Sequence, residues 1–323
     1  MKKEFCTIFD KNYLIKGLSL YYSLLENCNS FRLWILCMDD TVFNILKRLN
    51  LEYIAPVSLS DFEYPELIEA KKDRNAGEYC WTCKPSFMLY ILKEDKNIKF
   101  ISYIDTDCFF YHSPELIYKE LGYNSILLTA HNFPHYKKYL KVNGLYNAGF
   151  FLAKNDTIGL SCLEWWKKKC NEWCYIIPNK ERMGDQRYLE KIPKLFNKVA
   201  ISQHKGINAA PWNLREDNVK KFKNQIYIKN EPLIFYHYFN FKIFPFSYFL
   251  SPCPWSHYIK TSKKQKYIYK KYIQSLYNSL NEIRKIDKKF SYGLTPRPDF
   301  KTHIKEIFFP KFKCIIKSYF NKI

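Results

Sequence analysis

The chain has 323 residues, of which 47% are hydrophobic and 19% aromatic, so it can bury a full core as one large α/β domain or as one domain with an appendage. This composition excludes a disordered chain, and no uninterrupted apolar stretch reaches the ~18 residues that cross a bilayer. The formal net charge of +21 indicates a partner with negative charge, either a membrane surface or a nucleic acid.

The cysteines are better explained by packing than by disulfide bonds. There are eleven, an odd number, and most lie inside apolar runs, where cysteine packs as a small hydrophobic residue. Cys80 and Cys83 have the spacing of a zinc or redox motif, and Cys170 and Cys174 lie one helical turn apart, but packing remains the preferred interpretation. The N-terminal residues enter a strand-like segment without the apolar region of a signal peptide, so we expect a cytoplasmic protein.

Strand-like and helix-like segments alternate through the first half of the chain. The predicted strands are Phe5–Phe9, Phe31–Met38, Tyr53–Leu59 and Phe100–Ile104. The predicted helices are Lys11–Leu25, Thr41–Leu49 and Thr82–Leu92, with Pro85 in the first turn of the last one. This alternation predicts a largely parallel sheet with helices on both faces. Ligands bind such sheets at the carboxyl ends of the strands, where Asp10, Asp39 and Asp105 fall.

The second half of the chain is less regular. Its predicted strands are Ser125–Ala130, Phe150–Ala153, Val199–Gln203 and Leu233–Tyr236. Asp156 caps a predicted helix that ends near Cys174, and a second, short helix is predicted from Gly184 to Leu189. A boundary near Ser251–Trp255 divides the chain into a predicted main domain, 1–256, and a tail, 257–323. The main domain is expected to have two halves, 1–122 and 123–256.

An acidic pair follows the predicted strand Phe100–Ile104. Asp105 and Asp107 are separated by one residue, and such side chains point to the same side of an extended segment. Carboxylates are costly to bury without a partner, and the usual partner is a hard divalent cation that also binds diphosphate oxygens. The pair therefore predicts a Mg²⁺ or Mn²⁺ site, although an ordinary acidic turn after a strand has the same sequence pattern.

Seven short segments stand out by their order along the chain. They are Trp81-Thr-Cys-Lys84-Pro85, Tyr103-Ile-Asp105-Thr-Asp107-Cys-Phe-Phe, Tyr146-Asn147-Ala-Gly149-Phe150, Cys162-Leu-Glu-Trp-Trp166, Gly184-Asp185-Gln186-Arg-Tyr-Leu189, Ala210-Pro211-Trp212-Asn213 and Phe235-Tyr-His237. In this order the chain resembles bacterial nucleotide-diphospho-sugar glycosyltransferases of the GT-A fold, and is similar to glycosyltransferase family 8. The resemblance runs from about residue 4 to about residue 245. It implies that 1–256 is a GT-A catalytic domain, with a nucleotide-binding half, 1–122, and a donor and acceptor half, 123–256.

The resemblance implies a metal-dependent transfer of a sugar from a nucleotide-diphospho-sugar, with a UDP-sugar favoured. The acceptor would be a glycan or a lipid-linked sugar in surface polysaccharide synthesis. The resemblance also implies that His237 is a third metal ligand, although a histidine among aromatic residues is as often a hydrogen-bonding residue at a strand end. A cation suits the reaction, because the departing diphosphate gains negative charge. Lys242 is a weaker candidate for binding that diphosphate, since the segment after His237 departs from the His-x-x-Gly-x-x-Lys pattern of better-known relatives.

The first strand and the turn after it, from Thr7 to Tyr13, resemble the base-binding corner of this fold. A carboxylate such as Asp10 can accept the N3–H of uracil, and an aromatic ring such as Tyr13 can stack on the base. The alternative is that Asp10 caps the next helix, which is a common role. Lys84 is predicted at a helix start, where the backbone N–H groups and the ammonium group together favour phosphate.

Asp185 and Gln186 are the candidates for catalysis. In retaining enzymes that resemble this chain, such a pair lies beneath the donor sugar, with Asp185 on the sugar hydroxyls and Gln186 opposite the leaving group. The alternatives are that Asp185 caps the short helix, or that it is the general base of an inverting enzyme. Retention is weakly favoured.

Four further residues are candidates for binding the donor. Asn147 and Gly149 fall in a predicted turn at a strand edge, where Gly149 leaves room for a sugar. Trp212 and Asn213 are candidates for lining the donor or acceptor pocket, because the apolar faces of sugars stack well on indole.

The tail carries most of the excess charge. From His257 to Ile323 there are 17 lysines and arginines against four acidic residues, compared with 35 against 27 in the first 256 residues. Apolar residues from Ile304 to Phe320 follow helical spacing, which predicts a basic helix lying on an anionic membrane surface. The alternative is that this helix packs on the catalytic domain.

Two other functions compete with sugar transfer. Paired acidic residues on an α/β sheet also serve nucleotidyltransferases, but these usually need a glycine-rich phosphate loop near the N-terminus, and the chain has only nine glycines. The basic tail and the many aromatic residues are also typical of a non-enzymatic nucleic-acid-binding protein. We do not expect nucleic acid as a partner, and the sequence does not determine the oligomeric state.

Overall fold

The computed structural model describes residues 2–133, 140, 142–179, 181–214, 218–244, 248–251, 266–295 and 314–317. The chain divides into two compact units. Unit 1 consists of Met1–Lys11, Cys28–Thr106 and Pro114–His204, and unit 2 consists of Asn12–Asn27, Asp107–Ser113 and Lys205–Ile323. The predicted boundaries at residues 122 and 256 stay predictions.

Unit 1 contains a seven-stranded sheet. Numbered along the chain, its strands are β1 Lys3–Phe9, β2 Phe31–Cys37, β3 Ile54–Ser58, β4 Phe100–Ile104, β6 Ile126–Ala130, β7 Tyr146–Lys154 and β8 Val199–Ser202. Their order in the sheet is β3-β2-β1-β4-β7-β6-β8. All pairs are parallel except those that β7 makes with β4 and β6. The prediction of a mixed, mostly parallel sheet is therefore confirmed.

Helices flank this sheet. Those of unit 1 are α2 Asp40–Leu49, α3 Leu59–Phe62, α4 Pro65–Lys71, α5 Ala76–Glu94, α6 Glu115–Leu121, α7 Thr157–Glu172 and α8 Ile192–Leu195, with a 3₁₀ helix at Arg187–Lys191. As predicted, Asp156 caps α7, because its side chain accepts the N–H of Gly159. Asp39 caps α2, where Thr41 was the predicted cap.

Helix α5 begins six residues earlier than its sequence predicted. Asn75 and Glu78 form a capping box, in which each side chain accepts the backbone N–H of the other residue. Pro85 therefore lies inside the helix, and Lys84 is not at a helix start. The prediction that Lys84 gains phosphate affinity from helix N-terminal N–H groups is wrong.

Among the described residues of unit 2 there are two helices, α1 Leu14–Asn27 and α9 Lys266–Ile286, which pack against each other. Its strands are β5 Cys108–Phe110, β9 Val219–Phe222, β10 Gln225–Ile228, β11 Glu231–Pro232, β12 Phe235–His237, β13 Lys242–Ile243, β14 Tyr248–Ser251 and β15 Cys314–Lys317. The pairing that matters for the site is antiparallel and joins β5 to β12, with His237 opposite Cys108.

The apolar stripe of α9 is buried by the protein itself. Ile268, Tyr272, Ile273, Leu276 and Ile283 are at most 2% exposed. Such a helix is stabilised by tertiary packing of its apolar face. In the described part of the chain, no helix is long and apolar enough to cross a membrane.

The structure describes little of the predicted tail helix. Ile315 and Ile316 lie in strand β15, so the prediction of a helix is wrong for these two residues. The rest of the stripe between Ile304 and Phe320, and the predicted boundary after Ser251, lie outside the described residues.

Candidate functional site

In unit 1, a buried lysine joins two carboxylates. Lys84 Nζ lies 3.1 Å from Asp105 Oδ1 and 3.1 Å from Asp185 Oδ2, and it also donates to the carbonyl oxygen of Ala148. Lys84 comes from the middle of α5, Asp105 follows the end of β4, and Asp185 precedes the 3₁₀ helix. The ammonium group therefore lies within ion-pair distance of both carboxylates.

The charges of this triad are unequally exposed. The side chains of Lys84 and Asp185 are 4% and 5% exposed, whereas that of Asp105 is 26% exposed. Burial opposes the charge of Lys84, but Asp105 and Asp185 raise its pKa above the usual value. Burial raises the pKa of Asp185, the attraction of Lys84 lowers it and the charge of Asp105 raises it, and the net effect is a raised pKa.

Gln186 is held by hydrogen bonds at both ends of its amide. Its Oε1 accepts the Nδ2–H of Asn147 and the backbone N–H of Ala148, each at 3.1 Å, and its Nε2 donates to the carbonyl oxygen of Asn143. The Asn147 amide also contacts the ring of His131, which is 4% exposed. Gln186 therefore has a fixed orientation.

Asn147 and Gly149 lie inside β7, which begins at Tyr146. The prediction of a turn at these residues is wrong. The N–H of Gly149 donates to Asn147 Oδ1, and its carbonyl oxygen accepts the backbone N–H of Asp105 at 2.8 Å. Strand β7 thus fixes the backbone position of Asp105.

The loop before Asp185 is fixed by two tryptophans. Gly184 has a φ of +52°, and a Cβ at this position would lie 3.1 Å from the ring of Trp81. Trp166 is fully buried and its Nε1 donates to the carbonyl oxygen of Asp185. Asp185 does not cap a helix, since the 3₁₀ helix begins at Arg187 and has no side-chain cap.

In unit 2, an aspartate is paired with a histidine. Asp107 Oδ1 lies 3.1 Å from His237 Nε2, and their side chains are 10% and 4% exposed. The pairing of β5 with β12 brings them together, because Asp107 directly precedes β5 and His237 ends β12. The Trp212 ring packs edge-on against the His237 imidazole.

The Asp107 carboxylate is stabilised in its charged form. Burial alone would raise its pKa, but the charge of His237, the hydrogen bond from the same ring and the charge of Lys16 lower it to about 2. Lys16 is itself buried, and burial lowers its pKa. Asp107 therefore presents a carboxylate near neutral pH.

This pair has the chemistry and spacing of two metal ligands. Asp107, Cys108 and His237 are the only group of three or more His, Cys, Asp or Glu ligand atoms within 4.8 Å of one another that the described residues contain. Two ligands each about 2.1 Å from a cation lie about 3 Å apart when the angle between them is near 90°. Carboxylate oxygen and imidazole nitrogen are both ligands of first-row divalent ions. Asp107 and His237 therefore fit a divalent cation.

The three residues predicted to bind the base, Thr7, Asp10 and Tyr13, differ in their burial and contacts. Thr7 is fully buried and its hydroxyl bonds that of Thr106 in unit 1. Asp10 does not cap α1, which begins four residues later. Tyr13 is 42% exposed, with the ammonium group of Lys16 over its ring.

Asn213 and Lys242, two more predicted donor-binding residues, lie in unit 2 and differ in their contacts. Asn213 Oδ1 accepts the N–H of Ala210 and its Nδ2 donates to the carbonyl oxygen of Asn208, so the amide stabilises its own turn. Lys242 is exposed in β13.

Several residues close to the candidate site were not predicted from the sequence. Cys108 was interpreted only as a hydrophobic residue, although it follows Asp107 directly. Lys16 and His131 carried no recognisable pattern. The capping box at Asn75 and Glu78 was a readable signal for the true start of α5, and therefore for the position of Lys84 within it.

Two proteins of Bacillus subtilis strain 168 are similar to this chain over most of its length. The uncharacterised protein YfnD is 33% identical over 297 residues, which cover 91% of this chain and 95% of YfnD. The chain belongs to the YfnD family. A second member, the uncharacterised protein YfnF, is 32% identical over 251 residues, which cover 75% of this chain and 83% of YfnF. No family model matches the chain.

Solved structures show that this member of the YfnD family has the GT-A fold. The galactosyltransferase LgtC, crystallised with donor and acceptor sugar analogues, superposes with a TM-score of 0.51 at 13% identity, over 93% of this chain and 99% of LgtC. GlyE of Streptococcus pneumoniae gives 0.51 at 14% identity, over 92% of this chain and 66% of GlyE. The bifunctional glycosyltransferase WbbM gives 0.52 at 13% identity, over 90% of this chain and 52% of WbbM.

Proposed function

We propose that this protein is a metal-dependent glycosyltransferase that moves a sugar from a nucleotide-diphospho-sugar to a glycan or lipid-linked acceptor. A UDP-sugar is the favoured donor, and surface polysaccharide synthesis at the cytoplasmic face of the membrane is the favoured setting. The observation that carries the proposal is the buried pair of Asp107 and His237, next to the acidic segment that follows β4.

The proposed cation ligands are Asp107 and His237, together with Asp105, two residues earlier in the chain. A bound Mn²⁺ or Mg²⁺ would offset the negative charge that the diphosphate gains when the sugar leaves. The distance of 3.1 Å between Asp107 Oδ1 and His237 Nε2 supports this role, because both atoms can then bind the same cation. The Asp105 side chain is 26% exposed, so it is partly accessible, which supports its proposed role as a ligand.

Several residues are proposed to bind the donor. Thr7, Asp10 and Tyr13 are proposed for the base, and Lys242 for charge neutralisation. Asn147, Gly149, Trp212 and Asn213 are proposed for the sugar. Because Lys84 is fully engaged by Asp105, Asp185 and Ala148, its proposed role is to hold the two carboxylates in place.

Retention of the anomeric configuration is the favoured outcome. An inverting enzyme needs an accessible general base, and Asp185 is 5% exposed and paired with Lys84. Gln186 is not basic and has a fixed orientation, which suits a group that lies beneath the donor sugar. One of the LgtC structures is of an active-site variant in which glutamine is replaced by glutamate, so a glutamine lies in the active site of that protein. This supports the proposed place of Gln186.

The test is a screen of nucleotide sugars against the full chain, with and without Mn²⁺. We expect one donor to raise the melting temperature only when the metal is present, since a ligand that binds the native state alone stabilises it. The same donor should release its nucleoside diphosphate slowly in the presence of Mn²⁺. Asp107→Asn should remove both effects.

Asp61→Asn is the matched control, because Asp61 is an exposed aspartate of α3 in unit 1. It should behave like the unmodified protein. Stabilisation by nucleoside triphosphates alone would favour a nucleotidyltransferase. Tight, salt-sensitive binding of nucleic acid that Asp107→Asn leaves unchanged would favour the non-enzymatic alternative. Indifference to every nucleotide sugar would contradict the proposal.

A further inference from the structure

A groove of about 500 Å³ lies in unit 2 between α1 and α9. Its lining includes Tyr22 and Glu26 of α1, Phe109 of β5, and one face of α9. The α9 residues are Lys271, Gln274, Ser275, Asn278, Asn281 and Glu282. The volume falls within the roughly 300–1,000 Å³ that small-molecule sites occupy. No residue proposed above for the donor or the metal lines this groove.

The sequence of the groove face is unusual for this chain. From Tyr272 to Ile283 there are twelve residues without a lysine or arginine, inside a tail that has 17 of them. The polar side chains of this window recur at helical spacing on one face. Lys271, directly before this window, is the one lysine among the lining residues that the structure describes, so the groove offers little positive charge to a phosphate, a nucleic acid or an anionic lipid.

The charges that the groove does contain are paired within the protein. Lys271 donates to Glu26 at 2.7 Å, and Lys285 donates to Glu282 at 2.6 Å. Burial and then the charge of Glu282 raise the pKa of the Tyr22 phenol, which therefore stays neutral. A ligand for this groove does not need a charge of its own.

The groups that remain suit hydroxyls. Gln274 Nε2 donates to Asn278 Oδ1, and this bond uses neither the oxygen of Gln274 nor the N–H groups of Asn278; both side chains are exposed. Asn281 is exposed on the same face and adds a donor and an acceptor. A hydroxyl both donates and accepts, as these amides do, and the half-buried ring of Tyr22 adds an apolar surface on which a sugar ring can stack.

We propose that this groove between α1 and α9 is a binding site for a neutral saccharide, separate from the proposed transfer site. It would hold part of a glycan chain through the amides of α9 and the ring of Tyr22. Holding a chain at a second point raises the effective concentration of its other residues. The proposal does not depend on glycosyl transfer, because the groove contains none of the residues assigned to donor or cation.

The test is direct binding of neutral oligosaccharides to the full chain, with EDTA present and no nucleotide. The probes are maltotriose, cellotriose, chitotriose and β-1,4-galactotriose, measured by saturation-transfer NMR and then by calorimetry. We expect at least one to bind. Asn278→Ala with Asn281→Ala should weaken that binding about tenfold or more, since hydrogen bonds to the ligand are lost. Tyr22→Leu should weaken it, and Tyr22→Phe should not.

Asn44→Ala is the matched control, because Asn44 is an exposed helical asparagine of α2 in unit 1. It should leave saccharide binding unchanged. Alanine is a better helix former than asparagine, so none of these asparagine variants should unfold the protein. Absence of binding by all four probes, or binding that the Asn278 and Asn281 variants do not weaken, would overturn the proposal. Neither result would bear on metal-dependent donor binding, which is measured with nucleotide and Mn²⁺ present.

Discussion

The two units neutralise their buried carboxylates in different ways. In unit 1, Asp105 and Asp185 share the ammonium group of Lys84, which stays charged near neutral pH and then has no lone pair for a metal. In unit 2, Asp107 is paired with His237, and an imidazole in its neutral form can bind a metal. The comparison indicates that Lys84 mainly supports the structure of unit 1, whereas the pair of Asp107 and His237 has the chemistry that the proposed cation site needs.

The sharpest way to break this comparison is to replace His237. We expect His237→Gln to lower metal-dependent turnover by at least about 100-fold and to raise the Mn²⁺ concentration for half-maximal activity, because a proposed ligand is lost. Initial rates of nucleoside diphosphate release over a Mn²⁺ titration measure both. His112→Gln, also in unit 2, is the control and should keep the original Mn²⁺ dependence. If both variants behave alike, the imidazole of His237 is not a ligand.

Replacing Lys84 tests the other half of the comparison. Lys84→Met leaves two carboxylates without their cation, and removing one partner from a buried ion pair typically costs about 3–5 kcal/mol. We expect the free energy of unfolding, measured in urea, to fall by that amount. Lys93→Met changes a lysine of the same helix that is 71% exposed, and it should alter stability by no more than about 0.5 kcal/mol. Equal effects of the two variants would mean that the triad does not stabilise unit 1.

Gly184 gives a smaller effect that concerns the position of Asp185. Gly184→Ala places a side chain at a φ of +52° and 3.1 Å from the Trp81 ring, so we expect a loss of about 1–2 kcal/mol of stability by denaturant unfolding. Gly77→Ala is the matched control. A Cβ at Gly77, in the first turn of α5, meets only Asn75 Oδ1 at 3.4 Å, and its substitution should be neutral or slightly stabilising. If Gly184→Ala leaves the free energy of unfolding unchanged, the loop before Asp185 can move to accommodate the added methyl group.

The smallest effect is expected at the N-cap of α7. Asp156→Ala should cost about 1 kcal/mol at pH 7, because the N–H of Gly159 loses its acceptor. Burial would raise the pKa of Asp156, but the N–H of Gly159, the hydroxyl of Ser125 and the charge of Lys154 lower it below the usual value of an aspartate. The charged cap therefore stabilises the fold fully when the pH is above the usual aspartate pKa. This contribution is lost as the pH falls through the lowered pKa of the folded state.

Unfolding of the original protein and of Asp156→Ala, at pH 7 and near pH 3, tests the direction of this pH dependence. The difference between the original protein and Asp156→Ala should shrink at the lower pH. Asp156→Asn should stay close to the original protein at both, because asparagine is an equally good N-cap. A difference that grows in acid would contradict the assignment.

The central sheet was predictable because local signals agree with its topology. The apolar run Phe100–Ile104 is one strand in both the prediction and the structure, and β1, β2 and α7 differ from their predicted bounds by only a few residues. These segments have clear periodicity and clear ends. The predicted start of α5 was six residues late, because Pro85 was interpreted as a first-turn residue although the capping box lies nearer the N-terminus.

The site was less predictable than the sheet, because its geometry depends on residues far apart in the chain. Nothing local to Lys84 indicates that Asp185, 101 residues later, shares its ammonium group. The interpretation of Asn147 and Gly149 as a turn failed because polar and small residues also occur inside a buried strand where they have hydrogen-bond partners, as Asn147 has in Gln186 and in the N–H of Gly149. The pairing of Cys108 with His237 follows from a strand register that no short motif encodes.

The hydrogen bond from the Asp105 backbone N–H to the Gly149 carbonyl oxygen has a practical consequence for protein engineering. The Cα of residue 105 is held by the main chain of a neighbouring strand, so its location does not depend on which side chain it bears. A substitution at position 105 therefore changes the group that faces Lys84 while this main-chain hydrogen bond is kept. Differences between such variants report on the side chain and its ion pair rather than on a displaced end of β4.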